Sequence, residues 1–231
     1  MQLYCGTSGF SFQEWKGPFY PEKLPNNQML EYYAARLPTV EINNTFYRMP
    51  KASVLEGWAG KVPETFRFAV KAPRRISHSK QLRDCEEEAG YFFKALESLG
   101  DRLGCVLVQL PPHARASTDN LDAFLKLVPE QVHVACEFRH ASWRDDAVLD
   151  VLRKHGAAWV TADNEGGEPD DLPVTANWTY LRLRAPGYTD ESLRAWRSRC
   201  EGFDRAFIYF KHEDDGAGPK LAGRMMELDR G

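Results

Sequence analysis

The sequence has no long apolar run and no closely spaced cysteines. None of its apolar segments approaches the roughly 20 residues of a membrane-spanning helix, so we expect no membrane span. The first residues, MQLYCGTSGF, lack a basic region followed by an apolar one, so we predict no signal peptide. The cysteines form no C-x-x-C pair: Cys5, Cys85, Cys105, Cys136 and Cys200. This odd, scattered set is typical of free, buried thiols in a cytoplasmic protein.

Several common cofactor and catalytic motifs are also missing. The segment GTSGF at 6–10 is not G-x-G-x-x-G, which argues against a dinucleotide-binding turn, and there is no G-x-S-x-G nucleophile motif. The histidines never form H-x-x-x-H or H-E-x-x-H, so we predict no metal and no cofactor. The alternative is a metal cluster assembled from different strands, with His78, His140, Glu137 and Asp163 as ligands.

The composition indicates no unusual class of binding partner. The 231 residues carry a net charge of -3, and 43% of them are hydrophobic, enough for a sizeable core. Neither the net charge nor the hydrophobic content calls for nucleic acid or a membrane. We therefore predict one domain over residues 1–231 and no membrane partner. The sequence leaves the oligomeric state open.

Short apolar runs alternate with segments of helical period along the chain. The runs predict eight strands, at 3–6, 39–43, 66–71, 104–110, 132–138, 157–162, 178–183 and 206–210. Most are followed by an amphipathic helix. The exception is 163–177, which has no apolar period and is predicted to be a loop. Parallel neighbours need such crossovers, so we predict an α/β fold, a (β/α)₈ TIM-barrel-like architecture that is irregular after strand six.

Three helix ends carry local signals. Asp84 and Glu87 have the spacing of a capping box, which predicts a helix that begins at Asp84. Gly100 is expected to end the same helix. Thr189 is expected to begin the helix that contains Leu193.

Polar residues collect where the predicted strands end. In a (β/α)₈ barrel the active site lies at the carboxyl ends of the strands, so these positions are candidates. We assign catalysis to Glu41, Lys71 and Glu137. The predicted substrate-binding residues are Asn43, Tyr47, Arg74, His78, Gln109, Arg139, His140, Trp143, Asp163, Arg182 and Lys211. Ser8, Arg184 and His212 also stand at strand ends.

Lys71 ends an otherwise apolar strand, FRFAVK. A buried amine is unfavourable unless it is paired, and Glu41 and Glu137 are the expected partners. One interpretation is an ion network that only fills the barrel mouth. The other is a lysine with a perturbed pKa that acts as a base, forms a Schiff base or anchors an anion.

Cations outnumber carboxylates at the strand ends. Arginine pairs bind phosphate and carboxylate bidentately, so the excess predicts an anion site. Side chains alternate along a strand, so we expect about half of the cations to face the pocket. The cations are Lys71, Arg74, Arg139, Arg182, Arg184 and Lys211.

Six segments together resemble the motifs of the YecE-like family, domain of unknown function seventy-two. They are GTSGF (6–10), FYPEKLP (19–25), VEINNTFYRMP (40–50), FRFAVKAPRRISH (66–78), QLPP (109–112) and EFRHASW (137–143). AFIYFKHEDDGAGPKLAGRM at 206–225 is similar to the family's C-terminal segment, so the resemblance covers nearly the whole chain. It implies a TIM-barrel-like fold and no settled activity.

The chain departs from the family pattern at two strands. The family commonly has Arg-x-His-Gly at strand seven and Phe-Asn-Asn at strand eight. This chain has RLRAPG (182–187) and Phe210-Lys211-His212. Ligand recognition on that side of the mouth is therefore expected to differ. At fold level the family is similar to sugar-isomerase and apurinic-endonuclease barrels, whose dense metal-ligand sets this chain lacks.

Three functional hypotheses follow. The first is an enzyme that acts on a small anionic substrate bearing phosphate or carboxylate. The second is a nucleic-acid repair or processing barrel that adds an exposed basic surface around Arg194, Arg197 and Arg199. The third is a binding protein without catalysis. A small anionic ligand is the favoured partner, and nucleic acid is not favoured.

Overall fold

Eight parallel strands form a closed barrel in chain order, with β1 paired to β8. The structure is a computed structural model that describes residues 1–163, 172–211 and 214–228. The strands are β1 Gln2–Ser8, β2 Thr39–Ile42, β3 Arg67–Lys71, β4 Leu103–Gln109, β5 Val134–Glu137, β6 Ala158–Ala162, β7 Trp178–Leu183 and β8 Arg205–Phe210. The predicted TIM-barrel-like fold is confirmed, since each predicted strand coincides with an observed one.

Helices surround the barrel. They are α1 Met29–Ala34, α2 Asn44–Tyr47, α3 Ala52–Ala59, α4 Glu86–Leu96, α5 Thr118–Leu125, α6 Asp146–Lys154, α7 Asp190–Arg199 and α8 Ala217–Glu227. Short 3₁₀ turns and one π-helical turn, Arg75–Ser79, occupy several connections. Between β6 and β7, residues 163 and 172–177 contain no helix, and 164–171 lie outside the described residues.

The helix-end predictions had mixed outcomes. The predicted start at Asp84 is wrong, since α4 begins two residues later, no side chain caps it, and Asp84 has a φ of 45°. The α-helix ends at Leu96, and Gly100 lies in the 3₁₀ segment that follows. The Thr189 prediction is confirmed, because its hydroxyl accepts a hydrogen bond from the Ser192 backbone N–H at 3.2 Å.

Alternate residues of each strand fill the barrel interior. Large rings come from β7, β8 and β1, where Tyr4 and Phe207 stack with ring centroids 4.9 Å apart. The facing strands β3 to β6 contribute small residues at this level, including Ala69, Ala135 and Ala158. Large and small side chains therefore complement each other, as close packing requires. The charged groups Glu41, Glu137 and Arg182 lie above this level, toward the carboxyl ends of the strands.

All five cysteines are buried and free. Burial raises the pKa of the Cys136 thiol to about 12, so the thiol stays protonated at neutral pH. The prediction of free, buried thiols is confirmed. Within the described ranges, no helix is both long and apolar enough to cross a membrane.

Candidate functional site

A cavity of about 520 Å³ opens at the carboxyl ends of the strands. Cations and amides from the strand ends line its polar part: Asn43, Lys71, Gln109, Arg139, Arg182, Arg184 and Lys211. Five rings line its apolar part: Phe10, Phe12, Phe46, Tyr47 and Trp58. The structure thus brings together seven of the fourteen predicted site residues in the lining, with Tyr47 82% exposed at the rim.

Arg182 is the centre of the polar cluster. It lies on β7 facing the interior and is 4% exposed. Its guanidinium donates to Glu137 Oε2 at 2.6 Å and to Glu41 Oε1 at 2.8 Å. The fixed fork of the guanidinium suits two carboxylates at once. One buried arginine therefore joins β2 and β5 across the barrel.

Glu41 accepts hydrogen bonds at both carboxylate oxygens. Besides Arg182, Ser8 Oγ donates to Oε1 at 2.5 Å, Asn43 Nδ2 donates to Oε1 at 3.0 Å, and Tyr180 OH donates to Oε2 at 2.7 Å. Complete burial would raise its pKa, but the charge of Arg182 and these donors outweigh burial and lower the pKa to about 2. Glu41 is therefore ionised and surrounded by donors.

Glu137 is held in a similar way, with more cations nearby. Besides Arg182, Arg139 Nε donates to Oε1 at 3.2 Å, and Arg184 Nη2 lies 3.9 Å from the same oxygen. Burial alone would raise the pKa of Glu137, but the charges of Arg182, Arg184 and Arg139 lower it overall. Three arginines thus surround one carboxylate.

Among the residues that the structure describes, no carboxylate is bonded to Lys71. Its Nζ donates to Gln109 Oε1 at 2.8 Å and lies 4.4 Å from the centroid of the Phe46 ring. The expected ion pairs with Glu41 and Glu137 are not formed, because Arg182 binds both carboxylates. Burial first, and then the charge of Arg182, lower the pKa of Lys71 to about 8 despite the two carboxylates.

Two buried donors on the cavity lining have no hydrogen-bond partner among the described residues. They are Nε2 of Gln109 and Nε of Arg184. Buried polar groups are nearly always paired, so an unpaired donor at a cavity marks a place where a ligand atom or water accepts.

Two predicted binding residues lie elsewhere. Arg74 is exposed and precedes the π-helical turn, so the chain has already left the mouth there. His140 caps a short 3₁₀ helix, where its Nδ1 accepts from the Ser142 backbone N–H at 3.1 Å. Neither residue lines the cavity. Each follows its strand by three residues, where strand alternation no longer sets the direction of a side chain.

Trp143 and Asp163 have structural contacts in place of cavity contacts. Trp143 is buried, stacks on Phe138 at 4.3 Å and donates from Nε1 to the Ala114 carbonyl at 2.8 Å. Asp163 Oδ1 accepts from the Arg184 backbone N–H at 2.5 Å and so holds the segment after β7. The prediction that they face the ligand is therefore corrected.

His78 lies behind the cavity wall. Its ring is edge-on to Phe46 at 4.8 Å, and its Nδ1 is 3.1 Å from Ser77 Oγ. Burial first, then the charges of Lys71 and Arg139, lower its pKa to about 4, so the imidazole is neutral at pH 7. His212 lies outside the described residues.

The alternative metal cluster is not assembled. Within the described ranges, no three histidine, cysteine, aspartate or glutamate side chains are grouped so as to hold a metal ion. His78 and His140 are bonded to neighbouring serines, and Glu137 is bonded to arginines.

Sequence reasoning missed four of the five rings in the lining, all except Tyr47. Phe10 and Phe12 follow β1, and Phe46 and Trp58 lie in the segment after β2. A signal was present, since barrel geometry places every segment that follows a strand at the same mouth. Tyr180 was also missed, although alternation from Arg182 along β7 puts it on the inner face.

Comparison with known proteins decides the family. Residues 4–230 match the family described as "Protein of unknown function DUF72". The chain is 31% identical to the UPF0759 protein YunF of Bacillus subtilis, and the match covers 98% of this chain and 94% of YunF. The chain belongs to the DUF72 family. The DUF72 chain is also 35% identical to the UPF0759 protein YecE of Escherichia coli K12 over 48% of this chain and 41% of YecE.

Solved DUF72 structures share this fold. A DUF72 family protein of Thermotoga maritima MSB8 superposes with a TM-score of 0.83 at 29% identity, covering 98% of both chains. A DUF72 family protein of Enterococcus faecalis V583 gives 0.79 at 18% identity, covering 98% of this chain and 94% of that one. The resemblance inferred from the motifs is thus confirmed as family membership.

The geometry of the DUF72 chain separates two kinds of charged group. Arg182 lines the cavity but is already bonded to Glu41 and Glu137, which do not line it. Lys71, Arg139, Arg184 and Lys211 line the cavity with charge that the two carboxylates only partly balance. The groups bonded around Arg182 are suited to positioning one another. The cations of the second group are suited to contact with a ligand.

Proposed function

We propose that this DUF72 protein is an enzyme that acts on a small substrate carrying a phosphate or carboxylate group at the barrel mouth. The observation that carries the proposal is the charge of the lining. Five cationic side chains line the cavity, and the described lining contains no aspartate or glutamate. A concave site with one sign of charge concentrates ligands of the opposite sign.

The buried carboxylates do not cancel this charge. Glu41 and Glu137 lie beneath the lining and are both bonded to Arg182. Five cations therefore surround two carboxylates, and the excess faces the cavity. Cations that repel one another destabilise the folded protein unless an anion binds between them. A site that keeps such cations gives up stability for activity.

Each group has a proposed role. Arg139, Arg184 and Lys211 are partly or fully exposed at the mouth and would bind the anion. Lys71, whose amine lies deeper, would act on the substrate. The rings of Phe46 and Trp58 would contact its apolar part.

The structure favours a different use of the carboxylates from the general acid/base role expected of Glu41 or Glu137. A general base needs a free lone pair directed at the substrate. Both oxygens of Glu41 already accept from neighbouring donors, and its pKa of about 2 makes it a weak base. We therefore assign Glu41 and Glu137 to positioning Arg182.

Isothermal titration with inorganic phosphate tests the proposal. We expect binding to wild type, and we expect Arg139→Ala to weaken it about ten-fold or more, since hydrogen bonds to charged groups contribute roughly 1.5–3 kcal/mol. Arg74→Ala is the matched control, because Arg74 is a nearby arginine that does not line the cavity. No heat from wild type with phosphate, sulfate or nucleotides would contradict the proposal, as would equal weakening in both variants.

A further inference from the structure

We propose that Lys71 forms a covalent imine with the carbonyl carbon of a small anionic oxo compound bound at the barrel mouth. The anionic part of this substrate class rests on the proposed function. The carbonyl part rests on the position and contacts of Lys71.

The amine of Lys71 is fixed and reaches the cavity. Lys71 ends β3, is 9% exposed and lines the cavity. One hydrogen bond, to Gln109 Oε1, and the face of Phe46 hold Nζ in place. By contrast, Lys211 lines the same cavity but is exposed. A nucleophile held in one orientation has lost the freedom that otherwise opposes reaction.

The surroundings of Lys71 make its neutral, nucleophilic form more accessible. Burial first, and then Arg182 and Arg139, disfavour the ammonium, whereas Glu41 and Glu137 favour it, and the balance lowers the pKa to about 8. An exposed lysine is almost entirely protonated at neutral pH. A buried lysine close to other cations is a known type of activated amine nucleophile.

The reaction balances without an oxidant or reductant. The ammonium of Lys71 releases one proton, and its lone pair adds to the carbonyl carbon as the C–O π bond breaks. A second proton moves from nitrogen to oxygen and gives a carbinolamine. The oxygen then takes up a proton and leaves as water, while the nitrogen lone pair forms the C=N bond. One ammonium and one carbonyl give one protonated imine and one water.

Gln109 is placed to assist both the attack of the amine and the departure of the oxygen. Its Oε1 accepts from the Lys71 amine at 2.8 Å. Its Nε2 is buried, has no partner among the described residues and belongs to a side chain on the cavity lining. The amide therefore orients the nucleophile with one atom and offers a donor to the departing oxygen with the other.

Reductive trapping tests the inference. The protein is incubated separately with pyruvate and with dihydroxyacetone phosphate in the presence of sodium cyanoborohydride, which reduces an imine to a stable secondary amine. We expect one adduct per chain, mapped to Lys71, forming at least about ten-fold faster than at any other lysine, because the Lys71 amine is held at the cavity and its pKa is lowered to about 8. Inorganic phosphate should slow the labelling. Lys71→Arg should abolish it, and Lys94→Arg, at an exposed site away from the cavity, should not.

Each result has one meaning. Labelling spread over several lysines, or no Lys71 adduct with either probe, overturns the imine. If Lys71→Arg does not fold, peptide mapping of the wild-type protein still decides the question. Phosphate binding by titration without a Lys71 adduct rejects the imine and leaves the anion site standing. Absence of both rejects the imine and the proposed function together.

Discussion

A buried lysine stabilises a fold only when an anion is paired with it. Lys71 has no such partner within 1–163, 172–211 and 214–228: its amine is bonded to the neutral amide of Gln109, and Arg182 binds the two nearby carboxylates. The unfolded chain would hydrate this ammonium fully. Lys71 therefore destabilises the fold while it remains charged, and its retention needs another reason, such as a ligand.

Replacing Lys71 should accordingly leave the protein as stable as before or more stable. We expect Lys71→Met to show an unchanged or higher Tm at pH 7 without ligand, and a smaller shift in Tm on adding phosphate. Arg182→Met is the contrasting variant. It leaves Glu41 and Glu137 buried without their shared partner, which should lower the free energy of unfolding by about 3–5 kcal/mol.

The difference in stability between wild type and Lys71→Met should change with pH in a defined direction. Lys71 releases its proton near pH 8 when folded and near its ordinary value of 10.5 when unfolded. Between these values the unfolded chain binds more protons, so wild type gains stability relative to Lys71→Met as pH rises from about 8 to about 10.5. Denaturant unfolding of both proteins across this range measures the gain. A strongly destabilised Lys71→Met that keeps the wild-type phosphate shift would instead identify Lys71 as a structural residue.

The sequence predicted where Lys71 lies but not what it contacts. Strand alternation and the barrel rule put Glu41, Lys71, Glu137 and Arg182 on one inner level. Which of these side chains bond to each other depends on distances across the barrel. Those distances depend on the stagger between strands, which the sequence does not give. Arg182 reaches two carboxylates at once, and this geometry left Lys71 with Gln109.

At the scale of elements, β1 and β2 approach each other closely at Gly6. Gly6 is paired with Thr39 in the parallel ladder. A Cβ built on Gly6 would lie 2.0 Å from the Thr39 carbonyl oxygen, which is backbone and has little room to move. The local sequence GTSGF thus has a packing reason for its first glycine in addition to any role in a turn.

Gly6→Ala should therefore disrupt the β1–β2 pairing and lower the free energy of unfolding by about 3 kcal/mol or more. Gly57→Ala is the matched control, because Gly57 lies within α3 and an added Cβ meets nothing within 4 Å. That change should be neutral or stabilising by up to about 1 kcal/mol. Chemical denaturation measures both variants. Similar stability of the two would contradict the close approach of β1 and β2.

Strands were easier to predict than the ends of connections. Each strand is mostly apolar and mostly buried, as expected of a parallel sheet covered on both faces. The start of α4 was missed because Gln81, Leu82 and Asp84 all adopt positive φ. The residue types in this segment do not predict that backbone conformation. Arg74 and His140 do not line the cavity because both lie in turns just beyond a strand, where strand alternation no longer applies.

At the scale of the whole molecule, the slightly negative net charge contrasts with the cationic cavity. The chain has a net charge of -3, and its cavity cations are gathered at one end of the barrel. The basic surface expected around α7 is partly engaged: Arg197 donates to backbone carbonyls at the end of α8, and Arg199 packs on the Trp196 ring at 4.8 Å. A long nucleic-acid footprint needs many accessible cations, and this distribution does not provide it.

We therefore expect weak binding of duplex DNA. Each phosphate that a protein neutralises adds about 0.9 to the slope of log affinity against log salt, so a recessed cluster that contacts few phosphates gives a shallow slope. Fluorescence anisotropy of a labelled duplex, titrated at several salt concentrations, should give a Kd above about 1 μM at physiological salt, within the non-specific range. Submicromolar affinity with a slope of several units, lost in Arg139→Ala but kept in Arg74→Ala, would instead make the mouth a nucleic-acid site. The cations would then serve a polymer backbone, and the small-substrate proposal would have to give way to a processing barrel.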